Sequence, residues 1–216
     1  PTVASIILII SLIPLLLALA ARHFFYTRPM RRLGQSEISL SARELARRVL
    51  DRAGAKETAI TEKRRLFIPL SAKNVLLQSQ KAASKKAGDV ANAAHLAGLI
   101  LLARREEKPV VWRTSTVKFG WSFPAFTLLI LAFAMVVKAV PFKMGFALVA
   151  LSCAFASFSL WLTMSVERNA ARATARLLEE SALLPRREEA EKVALLVRAQ
   201  AWKRLLPGLL QWLGKE

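Results

Sequence analysis

Three long apolar segments without a charged residue constrain the fold of this 216-residue chain more than any other feature. They are residues 2–21, 119–137 and 144–166. An α-helix needs about 20 apolar residues to cross the hydrocarbon core of a bilayer, so each segment predicts a transmembrane helix. We expect the first to be a retained helix rather than a cleaved signal peptide, because it has no basic leader and Arg22 follows it directly.

The loop between the second and third segments and the positions of the basic residues predict the topology. Only residues 138–143 join those two segments, so they should form an antiparallel helical hairpin. Lys and Arg number 21 in residues 22–118 and 10 in residues 168–216, against 2 in the loop. Basic flanks are retained in the cytoplasm. We therefore expect a protein of the inner (plasma) membrane of a bacterial cell, with its N-terminus outside and its C-terminus in the cytoplasm.

The composition supports a membrane protein with a basic surface. Hydrophobic residues make up 54% of the chain, while 33 Lys and Arg outnumber 15 Asp and Glu for a formal charge of +18. We expect the lipid bilayer and its anionic headgroups as partners. Nucleic acid is not expected, because the basic residues are dispersed and lack interleaved aromatic residues. The single cysteine, Cys153, excludes a disulfide framework or a multi-thiolate metal site within one chain.

A capping box marks the start of a helix after the first apolar segment. Ser41 can accept a hydrogen bond from the amide three residues on, and Glu44 can reach back to the Ser41 amide. Gly54 can then supply the left-handed residue that ends the helix. The local pattern therefore predicts a helix that begins just after Ser41 and ends before Gly54.

The remaining residues before the second apolar segment predict a hairpin and two helices. Residues 56–62 and 66–70 are expected to be strands on either side of a charged turn. Helices are expected over residues 72–86 and 90–103, each begun by a capping residue directly before it. The second of these helices is too short and too close to charge to span a membrane, so we expect it in a core.

The C-terminal segment predicts two more helices. The first continues from the third apolar segment over residues 167–180, and Pro185 follows it. The second, over residues 186–213, is amphipathic, with Trp202 and Trp212 on its apolar side. An amphipathic basic helix is expected to lie in the membrane interface.

The helix around His95 carries the pattern closest to a catalytic motif. A zincin has His-Glu-x-x-His on such a helix, and this chain has Leu96 at the glutamate position and Leu99 at the second histidine position. Leucine supplies neither a metal ligand nor a base. The alternative interpretation of His95 is a core histidine bonded to a helix carbonyl or to Glu167.

The order of these features resembles the YugP-type membrane zinc metallopeptidase family over nearly the whole chain. Residues 40–54 match that family's Leu-Thr-Gly-x-Glu-Ile-Ala-Arg segment, and Leu70-Ser71 matches its Leu-Ser motif. Residues 93–100 match Ala-Ala-His-Glu-x-Gly-His-Ala, and residues 164–171 match Leu-Pro-Val-Glu-Phe-x-Ala-Ser. The N-terminal span, the two later spans and the helical tail follow in the same order.

The resemblance implies that part of a metal site has been lost. His95 falls on the first metal ligand and Glu167 on the third. Leu96 falls on the catalytic glutamate and Leu99 on the second ligand. We expect His95 and Glu167 to persist as a pair that bridges two helices, since a carboxylate at the end of a span is costly unless paired. Other candidate partners for Glu167 are Arg168, Arg172 and Arg104.

These patterns predict a mainly α integral membrane protein with one peptidase-like domain over residues 1–216. It should contain three transmembrane helices, zincin-like cytoplasmic helices with a small β-hairpin, and an amphipathic C-terminal helix. Residues expected to serve structure or partner contacts are Ser41, Glu44, Arg104, Arg172, Trp202 and Trp212.

The expected function is that of a catalytically inactive homologue, without catalytic residues, metal or cofactor. Such a pseudo-peptidase would act as a non-catalytic subunit, scaffold or regulator in a membrane complex, for example paired with an active paralogue. Two alternatives remain open from the sequence. One is a membrane metallopeptidase with a weak metal site of unusual ligands, and the other is a lipid-binding membrane scaffold.

Overall fold

The computed structural model describes residues 2–63 and 74–214, with side chains up to residue 211. In chain order its elements are α1 (Val3–Arg22), a π-helical turn (His23–Thr27), α2 (Arg28–Leu33), α3 (Ala42–Arg52), β1 (Ile60–Lys63), β2 (Val75–Gln78), α4 (Ser79–Ala82), α5 (Ala87–Arg105), α6 (Glu107–Val136), α7 (Phe142–Leu162), α8 (Met164–Glu180), α9 (Arg187–Gln200) and a 3₁₀ helix (Gly208–Gly214).

The chain divides into two compact units, which we call the apolar unit and the core unit. The apolar unit contains residues 1–23, 115–163 and 203–216. The core unit contains residues 24–114 and 164–202. The prediction of one peptidase-like domain over the whole chain stays a prediction.

Three helices of the described chain are long and apolar enough to cross a membrane, as predicted. They are Val3–Leu33, Glu107–Val136 and Phe142–Leu162. The third ends at Leu162 rather than at residue 166, where the Thr163 hydroxyl donates a hydrogen bond of 2.7 Å to the Leu160 carbonyl oxygen. A hydroxyl that competes for a helix carbonyl in this way favours a local break.

Within the apolar unit, α6 and α7 form the predicted antiparallel hairpin. Gly145, next to the connecting loop, lies against the Met135 side chain, and Gly120 lies against Leu160 at the opposite ends of the two helices. On the outer face of α6, Leu129, Ile130, Phe133 and Val136 are between 65% and 77% exposed. A continuous apolar surface of this kind is expected of a helix that faces lipid.

The core unit is built around α5. This helix packs against α3, α8 and α9. Small residues allow those close approaches, since Ala91, Ala94 and Ala97 are fully buried. The predicted helix over residues 90–103 is thus confirmed as a core helix. Its start differs from the prediction, because Lys86 is the capping position and Asp89 lies in the first turn, where it accepts a hydrogen bond from Ser84.

The capping box at the start of α3 is confirmed. The Glu44 amide donates to the Ser41 hydroxyl at 3.3 Å, and the Ser41 amide donates to the Glu44 carboxylate at 2.8 Å. The hydrogen bond from the Ser41 amide, followed by that from the Ser41 hydroxyl, lowers the pKa of the Glu44 carboxyl. Gly54 has a φ of 73°, the left-handed conformation expected after the helix.

Of the predicted β-hairpin the structure describes only the first strand, and the helix predicted over residues 72–86 is wrong over its described part. Strand β1 pairs in parallel with β2, so that Ile60 is opposite Val75. Residues 75–78 are therefore strand rather than part of a helix over residues 72–86, and within residues 74–86 only Ser79–Ala82 are helical. Val75 and Leu77 are buried while their neighbours are half-buried, which is the alternation of a strand. The predicted turn residues Arg64 and Arg65, the strand over residues 66–70 and the Ser71 cap lie outside the described residues.

The predicted interfacial helix over residues 186–213 is also wrong in extent and in the environment of its apolar face. Helix α9 ends at Gln200. Val193, Leu196 and Val197 are fully buried against α5 and α8. The periodic pattern correctly predicts an apolar face, but neighbouring helices cover that face instead of lipid.

Candidate functional site

Three helices of the core unit bring His95, Arg113 and Glu167 together. His95 is on α5, Arg113 is on the first turns of α6, and Glu167 is in the first turn of α8. Each of the three residues is only 3–4% exposed. The chain thus places a carboxylate, a guanidinium and an imidazole in one buried cluster, which we call the polar cluster.

The two oxygens of the Glu167 carboxylate face different partners. His95 Nε2 lies 2.8 Å from Oε2. Arg113 donates to Oε1 through Nε at 2.8 Å and through Nη2 at 2.5 Å. Because a buried carboxylate without a partner is strongly destabilising, these contacts link the middle of α5 to the first turns of α6 and α8.

The contact between His95 and Glu167 is the pair predicted from the sequence. The arginine that accompanies it is different from those predicted. Arg104 pairs with Glu57, and Arg172 is exposed on α8. Arg168 has its guanidinium carbon 5.9 Å from the centre of the Trp202 ring.

Arg113 is not among the partners of Glu167 predicted from the sequence, because its segment is polar and precedes the apolar run that begins at residue 119. A sequence signal for it does exist. Glu107 and Pro109 are typical of the first turn of a helix, so the second spanning helix can be expected to begin well before its apolar part. A longer α6 carries Arg113 into the buried core.

The residues at the other two motif positions contribute apolar contacts. Leu96 is 8% exposed and Leu99 is 3% exposed, and both belong to the hydrophobic core around α5. Leucine has no lone pair for a metal ion and cannot accept a proton. These two positions therefore stabilise the packing of α5.

Zinc does not fit the donors of the polar cluster. A catalytic zinc requires three protein ligands and an open position, and here only His95 and Glu167 are donors. Asp89 bonds to Ser84 and Lys81 instead, and Glu106 and Glu107 are exposed. No group of three His, Cys, Asp or Glu side chains within residues 2–63 and 74–214 could hold a metal ion.

The second ring nitrogen of His95, Nδ1, is buried and has no hydrogen-bond partner among the described residues. An ionised carboxylate only accepts hydrogen bonds, so Nε2, the nitrogen that faces Glu167, is the donor of this contact. A metal-binding histidine almost always has its other nitrogen bonded to a carboxylate, carbonyl or water. Among the described residues, no carboxylate or carbonyl gives Nδ1 of His95 that support.

A close approach of α5 and α8 lies next to the polar cluster. A Cβ atom on Gly98 would collide with the Thr174 hydroxyl and would lie 3.1 Å from the Ala170 carbonyl oxygen. Thr174 donates to that same carbonyl at 2.8 Å. Glycine at position 98 thus allows the two helices to bring His95 and Glu167 within hydrogen-bonding distance.

Of the remaining predicted residues, Trp202 and Arg104 lie elsewhere in the core unit. Trp202 stacks on Phe25 with ring centres 4.4 Å apart. The side chain of Trp212 lies outside the described residues. Arg104 is at the rim of a cavity of about 490 Å³, whose wall includes Leu101, Leu102 and Leu177.

A family model described as "putative neutral zinc metallopeptidase" matches residues 4–203, a range that includes the whole polar cluster. No curated protein and no solved structure matches the chain.

Proposed function

The chain belongs to the neutral zinc metallopeptidase family, and from this premise we propose that it is a catalytically inactive membrane member of it. The observation that carries the proposal is that leucine occupies two positions of the motif around His95. Leu96 and Leu99 occupy the positions of the general base and the second metal ligand, and both are packed in the core. Metal-assisted hydrolysis needs a bound water and a base to deprotonate it, and these side chains supply neither.

The proposed role is that of a non-catalytic subunit, scaffold or regulator in a membrane complex. The elements that support the fold are intact, including the α3 capping box and the buried core around α5. The chain also offers a wide apolar surface on the helices of its apolar unit. We propose an active paralogue as the partner, with the core unit in the cytoplasm and the N-terminus outside.

Metal analysis and a peptidase assay test the absence of catalysis. The full chain, purified in mild detergent, should contain far less than one zinc per chain and should not cleave a denatured protein substrate. A variant that restores both motif residues, Leu96→Glu with Leu99→His, serves to show that any new cleavage depends on these positions. Zinc at one per chain together with cleavage that a chelator abolishes would contradict the proposal and favour the alternative of a metallopeptidase with unusual ligands.

Affinity purification from membranes tests the partner. The tagged chain should co-purify with a membrane peptidase of the same family in mild detergent. As a matched control, a tagged three-span protein of similar size should not retain that peptidase. Recovery of the chain as a monomer alone would contradict the proposed role in a complex.

Binding of anionic lipid is a second candidate function, favoured by the cavity at the end of α5. Its wall is formed by apolar residues of α5 and α8, while Arg104 and Arg105 lie at its rim. Arg105 is exposed, and Arg104 is paired only with the largely exposed Glu57 among the described residues. An acyl chain against the leucines and a phosphate against the arginines would match this arrangement.

Titration with a fluorescent anionic lysolipid tests the second candidate. Arg105→Gln should weaken binding by the purified chain about tenfold at low salt, because a charge-assisted hydrogen bond is lost. Arg187→Gln is the matched control, since Arg187 is 93% exposed on α9 and does not line the cavity. Equal weakening by the two variants would show that binding depends on overall charge and not on the cavity.

A further inference from the structure

The charge of the polar cluster is balanced without a metal ion. Arg113 carries one positive charge and Glu167 one negative charge, and both side chains are at least 96% buried. Arginine stays protonated in proteins, so its charge does not depend on the surroundings. The buried carboxylate is therefore neutralised by a side chain of the same chain.

In the zinc motif that this chain resembles, a metal ion instead of an arginine brings the summed charge to zero. Two neutral histidines, two carboxylates and a zinc dication sum to zero charge. Replacing the catalytic glutamate by Leu96 removes one negative charge, and replacing the second histidine by Leu99 changes no charge. Without the dication one negative charge would remain on Glu167, and Arg113 cancels it.

We propose that Arg113 takes the place of the metal cation and converts the former metal site into a structural clasp between α5, α6 and α8. The guanidinium supplies the positive charge, and its two donors hold Oε1 of Glu167 while His95 holds Oε2. A metal ion would have to compete with these partners for the carboxylate oxygens. The clasp therefore stabilises the core unit without metal and opposes metal binding.

This inference rests on the proposed absence of a catalytic metal, and a pair of engineered variants separates the two ideas. Leu99→His adds an imidazole four residues after His95, on the same face of α5. Combining it with Arg113→Met removes the competing cation and retains a side chain of similar length. Zinc affinity is then measured for both purified full-length variants by competition with a chelating dye.

The expected result is tighter zinc binding when Arg113 is absent. Leu99→His/Arg113→Met should bind zinc at least about tenfold more tightly than Leu99→His, since partners around metal ligands alter affinity by about 10- to 100-fold. Leu99→His/Arg113→Lys should stay weak because it retains the charge. Leu99→His/Arg105→Met is the matched control, since Arg105 is exposed on α5, and it should bind as Leu99→His does.

Each contrary result has its own meaning. Equal zinc affinities with and without Arg113 would overturn the role of Arg113 and leave the proposed function intact. Stoichiometric zinc with peptide cleavage in the unaltered protein would instead overturn the proposed function. If Leu99→His/Arg113→Met is unfolded without zinc, recovery of its helical circular dichroism on zinc addition supports the clasp. Failure to recover refutes it.

Discussion

Removing either charge of the polar cluster should strongly destabilise the core unit. Glu167 and Arg113 are each about 3% exposed, and their closest atoms are 2.5 Å apart. Removal of one partner from a buried ion pair costs about 3–5 kcal/mol, because the other charge remains buried without compensation. For a chain of this size that loss corresponds to a fall of roughly 6–20 °C in the melting temperature.

A double-mutant cycle measures this coupling. Thermal unfolding of the full chain in detergent is followed by circular dichroism for Arg113→Met, Glu167→Gln and the double variant. The double variant should be less destabilised than the sum of the single variants by at least about 1 kcal/mol, because it buries no unpaired charge. Strict additivity of the two single effects would refute the argument that the charges compensate each other.

An exposed pair in the same unit is the matched control. Arg198 and Glu179 are 2.7 Å apart, but their side chains are 51% and 34% exposed. Surface pairs of this kind contribute about 0–1 kcal/mol. If Arg198→Met lowers the melting temperature as much as Arg113→Met does, burial is not what makes the ion pair of the polar cluster important for stability.

Three further predictions concern other contacts of the core unit. Gly98→Ala should cost about 1–3 kcal/mol of unfolding free energy through overpacking, and adding Thr174→Ala should recover part of it, whereas an unchanged loss would contradict the close approach. Ser41→Ala should cost about 1 kcal/mol by removing the α3 cap, measured by the same melts, and a neutral result would argue against the capping box. Hydrogen bonds from Ser39, the side-chain hydroxyl first, lower the pKa of Glu189, so the stability it contributes is present at neutral pH and is lost as the pH falls below its ordinary value of 4.5. The stability difference between the wild type and Glu189→Gln should accordingly shrink in that acidic range, and a difference that is constant with pH would contradict the bond.

The helices and the cap that the sequence predicts correctly follow from local residue patterns or from composition. Charge-free runs of spanning length predict the apolar helices, and the capping box predicts the start of α3 because its partners are three residues apart. The contact between His95 and Glu167 is long-range, and it could be predicted only because both residues match ligand positions of one motif. Whether that motif has become a pseudo-peptidase site stays a prediction.

The errors share a different cause. The apolar residues 75–77 are compatible with a helix face or with a buried strand, and the parallel pairing with β1 decides between them. The apolar face of α9 has the periodicity of an interfacial helix, but α5 and α8 cover it. Hydrophobic periodicity shows that one face of a helix must be buried. Whether lipid or other helices bury it depends on the rest of the fold.

The sequence by itself determined the three apolar helices, the capped start of α3, and His95 and Glu167 as the two residues that match ligand positions of the resembled motif. These follow from hydrophobicity, short-range hydrogen bonding and motif spacing. Only the tertiary structure decided that Arg113 neutralises Glu167 and that α9 completes the core. Arg113 is 54 residues from Glu167 in the chain, and no local pattern can show which of many arginines is buried beside a carboxylate. The packing of α5, α6 and α8 makes that choice, because the burial of the carboxylate requires a partner at that point.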